Sequence, residues 1–246
     1  MDKLLISMDT EKGKIRRNLL NYDDFIWIRG CDGSKSDDDI VNEVRDKYFS
    51  RYNENRECPK FYARVGNLAS HLKCLNHIIQ KDLENTIILE DDSFIDEDYT
   101  VPDYSSFPKD GMTMLSGRIQ PTTWTGQREW HRSGKPQQII KTFEEGINLV
   151  HYDKYRFTQS NAYFVPNATV ASKAVEKIKG EKKYRHTDIL FSKLHLWKYL
   201  YYPAPYIHDD TGSNSQIIKG NIGKIKNYQM IVGPAREHCF PENYID

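Results

Sequence analysis

Thr86-Ile87-Ile88-Leu89-Glu90-Asp91-Asp92 is the stretch that decides the fold. It reads as a short apolar strand closed at once by three carboxylates. The chain enters it from a helix. Between Val65 and Leu83 the apolar residues Val65, Leu68, Leu72, Leu75 and Ile79 recur at steps of 3, 4, 3 and 4, a core-facing stripe. Helix followed by buried strand indicates an α/β sheet that is at least partly parallel. In open sheets of that kind ligands bind beyond the carboxyl ends of the strands. Glu90-Asp91-Asp92 therefore stands at the ligand end. Three adjacent carboxylates repel one another and need positive compensation, for which a divalent cation is the usual answer. A solvated acidic turn is the plainer alternative, and the further acids Asp96, Glu97 and Asp98 favour it.

Upstream, residues 3–8 read as a buried first strand ending in the polar turn Asp9-Thr10-Glu11-Lys12-Gly13, with a short helix carrying Arg16 and Arg17 after it. Phe25 to Gly30 reads as a second strand and Asp37 to Ser50 as a helix. Residues 51–60, charged and containing Pro59, read as a loop. Downstream, Met112 to Leu115 and Asn161 to Val165 read as strands. A helix is expected from Asn167 to about Lys179, and another from Thr187 to Lys193. Tyr201 to Tyr206 reads as extended. Residues 118–138, with Trp124, Trp130 and His131, read as a long loop or excursion of the length that is usually functional. The tail from Thr211 is rich in Gly, Asn, Ser and Lys.

The 246 residues suit one large domain or two small ones. Lys and Arg number 35 and Asp and Glu 35, which argues against a dedicated nucleic-acid binder or a polybasic membrane-surface protein. No apolar run approaches the roughly 20 residues of a membrane-spanning helix. The N-terminus does not read as a signal peptide, and a cytoplasmic location is expected. Cys31, Cys58, Cys74 and Cys239 lack metal-type spacing and read as reduced thiols. The 12% aromatic content is that of a packed core, or of a cleft that stacks flat ligand faces.

Several residues could carry chemistry. Ser70 and His71 are neighbours on one helix, so they cannot serve as nucleophile and base for each other. His71 is either a histidine bonded inside the fold or a ligand contact. His208-Asp209-Asp210 pairs an imidazole with carboxylates, a set that suits Mn²⁺. Asp188 opens a helix, either as a carboxylate interacting with the helix dipole or as a general base. Arg16, Arg17, Arg64 and Lys73 are candidates for a diphosphate partner. Neither a dinucleotide fingerprint nor a phosphate-binding P-loop motif is present.

Taken in order, these segments resemble glycosyltransferase family 25, the lipopolysaccharide and collagen-type sugar transferases. The resemblance runs from Leu5-Ile6-Ser7-Met8-Asp9 with Arg16-Arg17, through Arg29-Gly30-Cys31-Asp32-Gly33 and Arg64 to Lys73 with its Ser70-His71 pair. It continues in Ile87-Ile88-Leu89-Glu90-Asp91-Asp92, Asn161 to Val165, Thr187-Asp188-Ile189-Leu190 and Tyr202 to Tyr206. It covers about residues 3 to 218. Viral enzymes that build capsid glycans carry similar compact domains.

The resemblance implies a GT-A-type α/β fold, with a mixed, mainly parallel sheet flanked by helices. It implies one domain over 1–246: a nucleotide-binding part to about residue 92, an acceptor and sugar part over about 93–210, and the tail 211–246. A nucleotide-sugar donor, typically a UDP-sugar, is implied with Mn²⁺ or Mg²⁺ and a glycan or glycoprotein acceptor. Carried onto this chain, Ser7, Met8, Asp9 and Thr10 would hold the nucleotide, and Arg16, Arg64, Ser70, His71, Lys73, Glu90, Asp91 and Asn161 would complete the donor site. Asp92, Glu90 and His208 would bind metal. Asp188 would be the catalytic base of an inverting transfer, and residues 118–138 would close over the donor. A metal-dependent phosphoesterase and a non-catalytic glycan-binding domain are the alternatives.

Overall fold

The computed structural model describes residues 1–19, 24–35, 37–49, 59–95, 102–116, 118–121, 143–158, 161–182, 184, 186–202 and 204–208. The expected excursion beyond residue 121, with Trp124, Trp130 and His131, and the tail from 211 lie outside them.

The element order is β1 (Lys3–Ser7), α1 (Glu11–Leu19), β2 (Ile26–Arg29), α2 (Asp39–Phe49), α3 (Pro59–Lys81), β3 (Thr86–Glu90) and β4 (Ser93–Ile95). Then come β5 (Met112–Met114), β6 (Arg118–Pro121), β7 (Gly146–Leu149), β8 (Tyr155–Thr158), β9 (Ala162–Val165), α4 (Ala168–Gly180), α5 (Thr187–Lys193), β10 (Trp197–Tyr202) and β11 (Tyr206–His208). Seven strands form the main sheet in the order β2-β1-β3-β9-β5-β10-β7. The β1–β2, β1–β3 and β5–β10 pairs are parallel, whereas β9 runs antiparallel to both β3 and β5, and β7 antiparallel to β10. This is the mixed, mainly parallel, helix-flanked sheet expected of a GT-A-like fold. Two small ladders, β4 with β11 and β6 with β8, stand beside it.

Strand β3 shows why its residues read as a continuous apolar run. Alternate side chains point to opposite faces, and both faces are covered. Ile88 joins Leu4, Ile6, Val65, Leu68, Leu72 and Leu75 on the α3 side. Ile87 and Leu89 join Leu5, Tyr104, Phe107, Phe164 and Tyr206 on the other. The α3 stripe is buried as expected at Val65, Leu68, Leu72 and Leu75, while Ile79 is only partly buried and Ile78 is fully so.

Two expectations change. Pro59 does not belong to a loop but opens α3, where its missing N–H is one of the donors that a first helical turn leaves unused anyway. The extended segment expected at Tyr201 to Tyr206 divides into the end of β10 and the start of β11. Strands β4, β6, β7 and β8 are additional to the expected set.

Candidate active site

Because β1 and β3 run parallel, Ser7 and Glu90 end side by side. Two backbone bonds extend the sheet past these ends. Asp91 N–H donates to Ile6 O at 3.0 Å and Glu90 N–H to Asn161 O at 2.8 Å. The acidic turn is thus held by β1 on one side and by the entry to β9 on the other.

The three carboxylates do not face one another alone. Asp91 accepts from Ser7 Oγ at 2.7 Å through Oδ2 and from Arg16 Nη1 at 2.8 Å through Oδ1. Burial pushes its carboxyl above the ordinary range and the Asp92 charge adds to that, while the Ser7 hydroxyl and the Arg16 cation pull it back. Glu90 Oε1 lies 2.8 Å from His71 Nε2 and accepts from Asn67 Nδ2 at 3.0 Å. The other ring nitrogen of the fully buried His71 is 2.9 Å from Tyr163 Oη. The first two carboxylates are thus engaged by Arg16 and Ser7 at Asp91 and by His71 and Asn67 at Glu90. Asp92 is the third carboxylate, half-buried at the turn.

Beside Ser7 the sequence reading missed a residue. The Trp27 indole N–H donates to Ser7 O at 2.9 Å, which lays the ring across the end of β1. The Arg17 guanidinium sits 4.1 Å over that ring and donates to Ser7 Oγ at 2.6 Å and to Met8 O at 3.1 Å. Trp27 stays 42% exposed, so the assembly opens to solvent. The sequence carried no signal for this role beyond a tryptophan in a short strand that is mostly exposed, and only the fold brings it to Ser7.

The remaining candidates separate into groups. Met8 and Asp9 are exposed beyond β1, with Asp9 3.6 Å from Arg29. Thr10 caps α1, its Oγ1 accepting from Gly13 N–H at 3.1 Å. Ser70 is turned inward, donating to Gly66 O and accepting from Cys31 N–H. Asn161 is buried, with Oδ1 accepting from Ser116 Oγ at 2.8 Å and Nδ2 donating to Ser93 Oγ at 3.0 Å. Its amide ties β5, β9 and the acidic turn together. Half-buried Lys73 acts electrostatically on the buried thiols Cys31 and Cys74. Asp188 lies in the first turn of α5 beside His186, which also feels Arg64 of α3. The same helix packs Phe191 against His71 and Tyr163.

Among the described residues no three His, Cys, Asp or Glu side chains gather as a metal-binding group. The β4–β11 register sets the backbone of His208 opposite Ser93, next to Asp92 in sequence. A carboxylate and an imidazole carried by these neighbouring backbones are a donor set that fits a borderline divalent cation.

No helix among the described residues is long and apolar enough to cross a membrane. Among curated proteins no match is found. The model of glycosyltransferase family 25 (LPS biosynthesis protein) matches residues 1–197, from β1 to the first residue of β10. With the acidic turn at the carboxyl end of a mixed α/β sheet and a family match across four-fifths of its length, the chain belongs to glycosyltransferase family 25.

Proposed function

We propose that this glycosyltransferase moves a sugar from a nucleotide-diphosphate donor, a UDP-sugar, to a hydroxyl of a glycan or glycoprotein acceptor. The observation that carries the donor reading is the Trp27–Arg17–Ser7 assembly at the end of β1. An exposed indole offers a flat face to a base, and a guanidinium held against it offers charge to a diphosphate. Arg16 is oriented by Asp91, which also accepts from Ser7.

In this reading Asp92, Glu90 and His208 would hold Mn²⁺ or Mg²⁺, with Glu90 oriented by His71 and Asn67. When bound, such a cation supplies Lewis-acid stabilisation to the departing diphosphate. Arg17 adds charge to the same leaving group. Asp188 takes the proton of the acceptor hydroxyl as its oxygen attacks the anomeric carbon on the face opposite the diphosphate; the bond from that carbon to the diphosphate breaks, and the transfer inverts. Burial and then Arg64 disfavour the charged form of His186 near Asp188, with Asp188 opposing. The part of the chain to about residue 92 serves the nucleotide and the part beyond serves sugar and acceptor.

The test is a thermal-shift screen of UDP, GDP, CMP and dTDP, each with and without Mn²⁺. Saturation at 100 times the dissociation constant adds about 2.7 kcal/mol. The expected result is a shift with UDP that needs the metal and disappears in Asp92→Ala. Trp27→Leu is expected to weaken UDP about tenfold or more and Trp27→Phe much less, since stacking on a base is worth about 1–3 kcal/mol. No shift with any nucleotide overturns the proposal.

A further inference from the structure

A groove lies at the opposite end of the sheet from Ser7 and Glu90. Strands β5 and β10 run in the same direction as β1 and β3, so their first residues, Met112 and Trp197, mark that far end. Two adjoining cavities of about 340 and 460 Å³ open there and share Lys177 and His195 in their walls. Each is in the size range of small-ligand pockets.

The walls are strongly basic. Lys173 and Lys177 stand one turn apart on α4, and Lys182 follows the end of that helix. The two carboxylates of the groove are already engaged: Asp110 accepts from Lys198 and Tyr199, and Glu181 pairs with Lys193 at 2.5 Å. Lys173, Lys177 and Lys182 have no carboxylate partner among the described residues, and Lys177 reaches only the Leu194 carbonyl, at 3.3 Å.

The wall that both cavities share holds an imidazole fixed in place. His195 follows α5 in the left-handed region, φ +52°, with its N–H on Ser192 O and that of Leu196 on Phe191 O. Glycine ordinarily fills this helix-terminating position. The ring stacks on Tyr152 with centroids 4.0 Å apart and planes 5° apart, and Tyr152 Oη in turn accepts from Trp197 N–H. Trp197 belongs to the same wall, and its buried indole N–H has no acceptor among the described residues.

The geometry points to a second ligand site here, one that takes a phosphate group on a sugar or a lipid. Lysine ammonium groups serve phosphate as point charges, and a fixed ring N–H adds direction. Among the described residues of the walls there is no arginine, whose fork would favour a planar carboxylate. The site is separate from the donor crevice and stands whether or not the donor proposal holds.

The test uses the whole chain and the ring NMR signals of His195, assigned by their loss in His195→Asn, a residue that tolerates the left-handed backbone. Inorganic phosphate and glucose 6-phosphate are titrated in, and sedimentation is measured with phosphatidylcholine vesicles with and without phosphatidic acid. Saturable movement of the His195 signals is expected, weakened about tenfold or more in Lys173→Gln/Lys177→Gln, the loss of two charge-assisted contacts. Lys182→Gln, at a different point of the wall, is expected to weaken it less. Saturation by the sugar phosphate assigns the site to a soluble ligand. Co-sedimentation that needs phosphatidic acid, Lys173 and Lys177 assigns it to a lipid headgroup. Unmoved His195 signals together with no lysine-dependent sedimentation, or an unchanged affinity in the double variant, overturn the proposal.

Discussion

At the residue scale the centre of the molecule is the Arg16–Asp91 pair. Both side chains are largely withdrawn from water, 18% and 12% exposed. Removing one partner leaves the other charge buried without its counterion. Breaking a fully buried pair costs about 3–5 kcal/mol, and the remaining solvent contact brings Arg16→Gln to about 2–3 kcal/mol. Urea denaturation of Arg16→Gln, Asp91→Asn and the double variant measures this, with the double variant expected to lose less than the sum of the single ones. Additive losses would show that the pair is not coupled. His71 offers a contrast. Its two nitrogens are held by Glu90 and Tyr163, so its burial is that of a satisfied core histidine that also orients a carboxylate of the site.

At the element scale the approach of α3 to the segment after β2 decides where Asn67, Ser70 and His71 stand. Gly66 and Gly33 face each other there. A Cβ on Gly66 would lie 2.3 Å from Cys31 O, and one on Gly33 would lie 2.1 Å from Tyr62 O. These contacts are with backbone and cannot be relieved by a rotamer change. Gly66→Ala is therefore expected to cost at least about 1–3 kcal/mol and to reduce nucleotide affinity as α3 shifts. A thermal melt and a UDP titration on the same sample check both. Helix α5 gives a pH dependence. Burial, then Arg64, hold His186 below its ordinary value of 6.5, with Asp188 opposing. The unfolded chain thus takes up this proton first. The His186 contribution to stability is complete above pH 6.5 and declines as pH falls from 6.5 through the lower folded value. His186→Asn is expected to flatten that part of the stability profile, which denaturation at a series of pH values would detect.

At the scale of the whole molecule, strand β9 joins two parallel groups, β2-β1-β3 and β5-β10, by running against both. Asn161, at its entry, meets the carboxyl ends of β3 and β5 there. This is why an acidic turn on the surface is attached directly to the core. The amides of Glu90 and Asp91, bonded to Asn161 and Ile6, are expected to exchange hydrogen as slowly as those of the central strands, not as a surface loop does. Asn161→Ala is expected to accelerate both. Rapid exchange of these amides in the unaltered protein would contradict the coupling.

Much of this organisation was legible in the sequence, because the signals were local. The apolar run before Glu90, the stripe on α3 and the strand at Ala162–Val165 each state their burial in their own periodicity. The short strands β4, β6, β7 and β8 did not, since three or four residues at a sheet margin carry too little pattern. Pro59 misled because proline marks both loops and first helical turns.

By itself the sequence determined the α/β class, the family and the position of the carboxylates at a strand end, all properties of contiguous residues. Which charge meets which carboxylate, the placing of Trp27 over Ser7 and the basic groove at the far end were decided by the tertiary structure alone. They depend on parallel register and helix packing, which join residues as distant as Ser7 and Asp91, and no local pattern encodes such a contact.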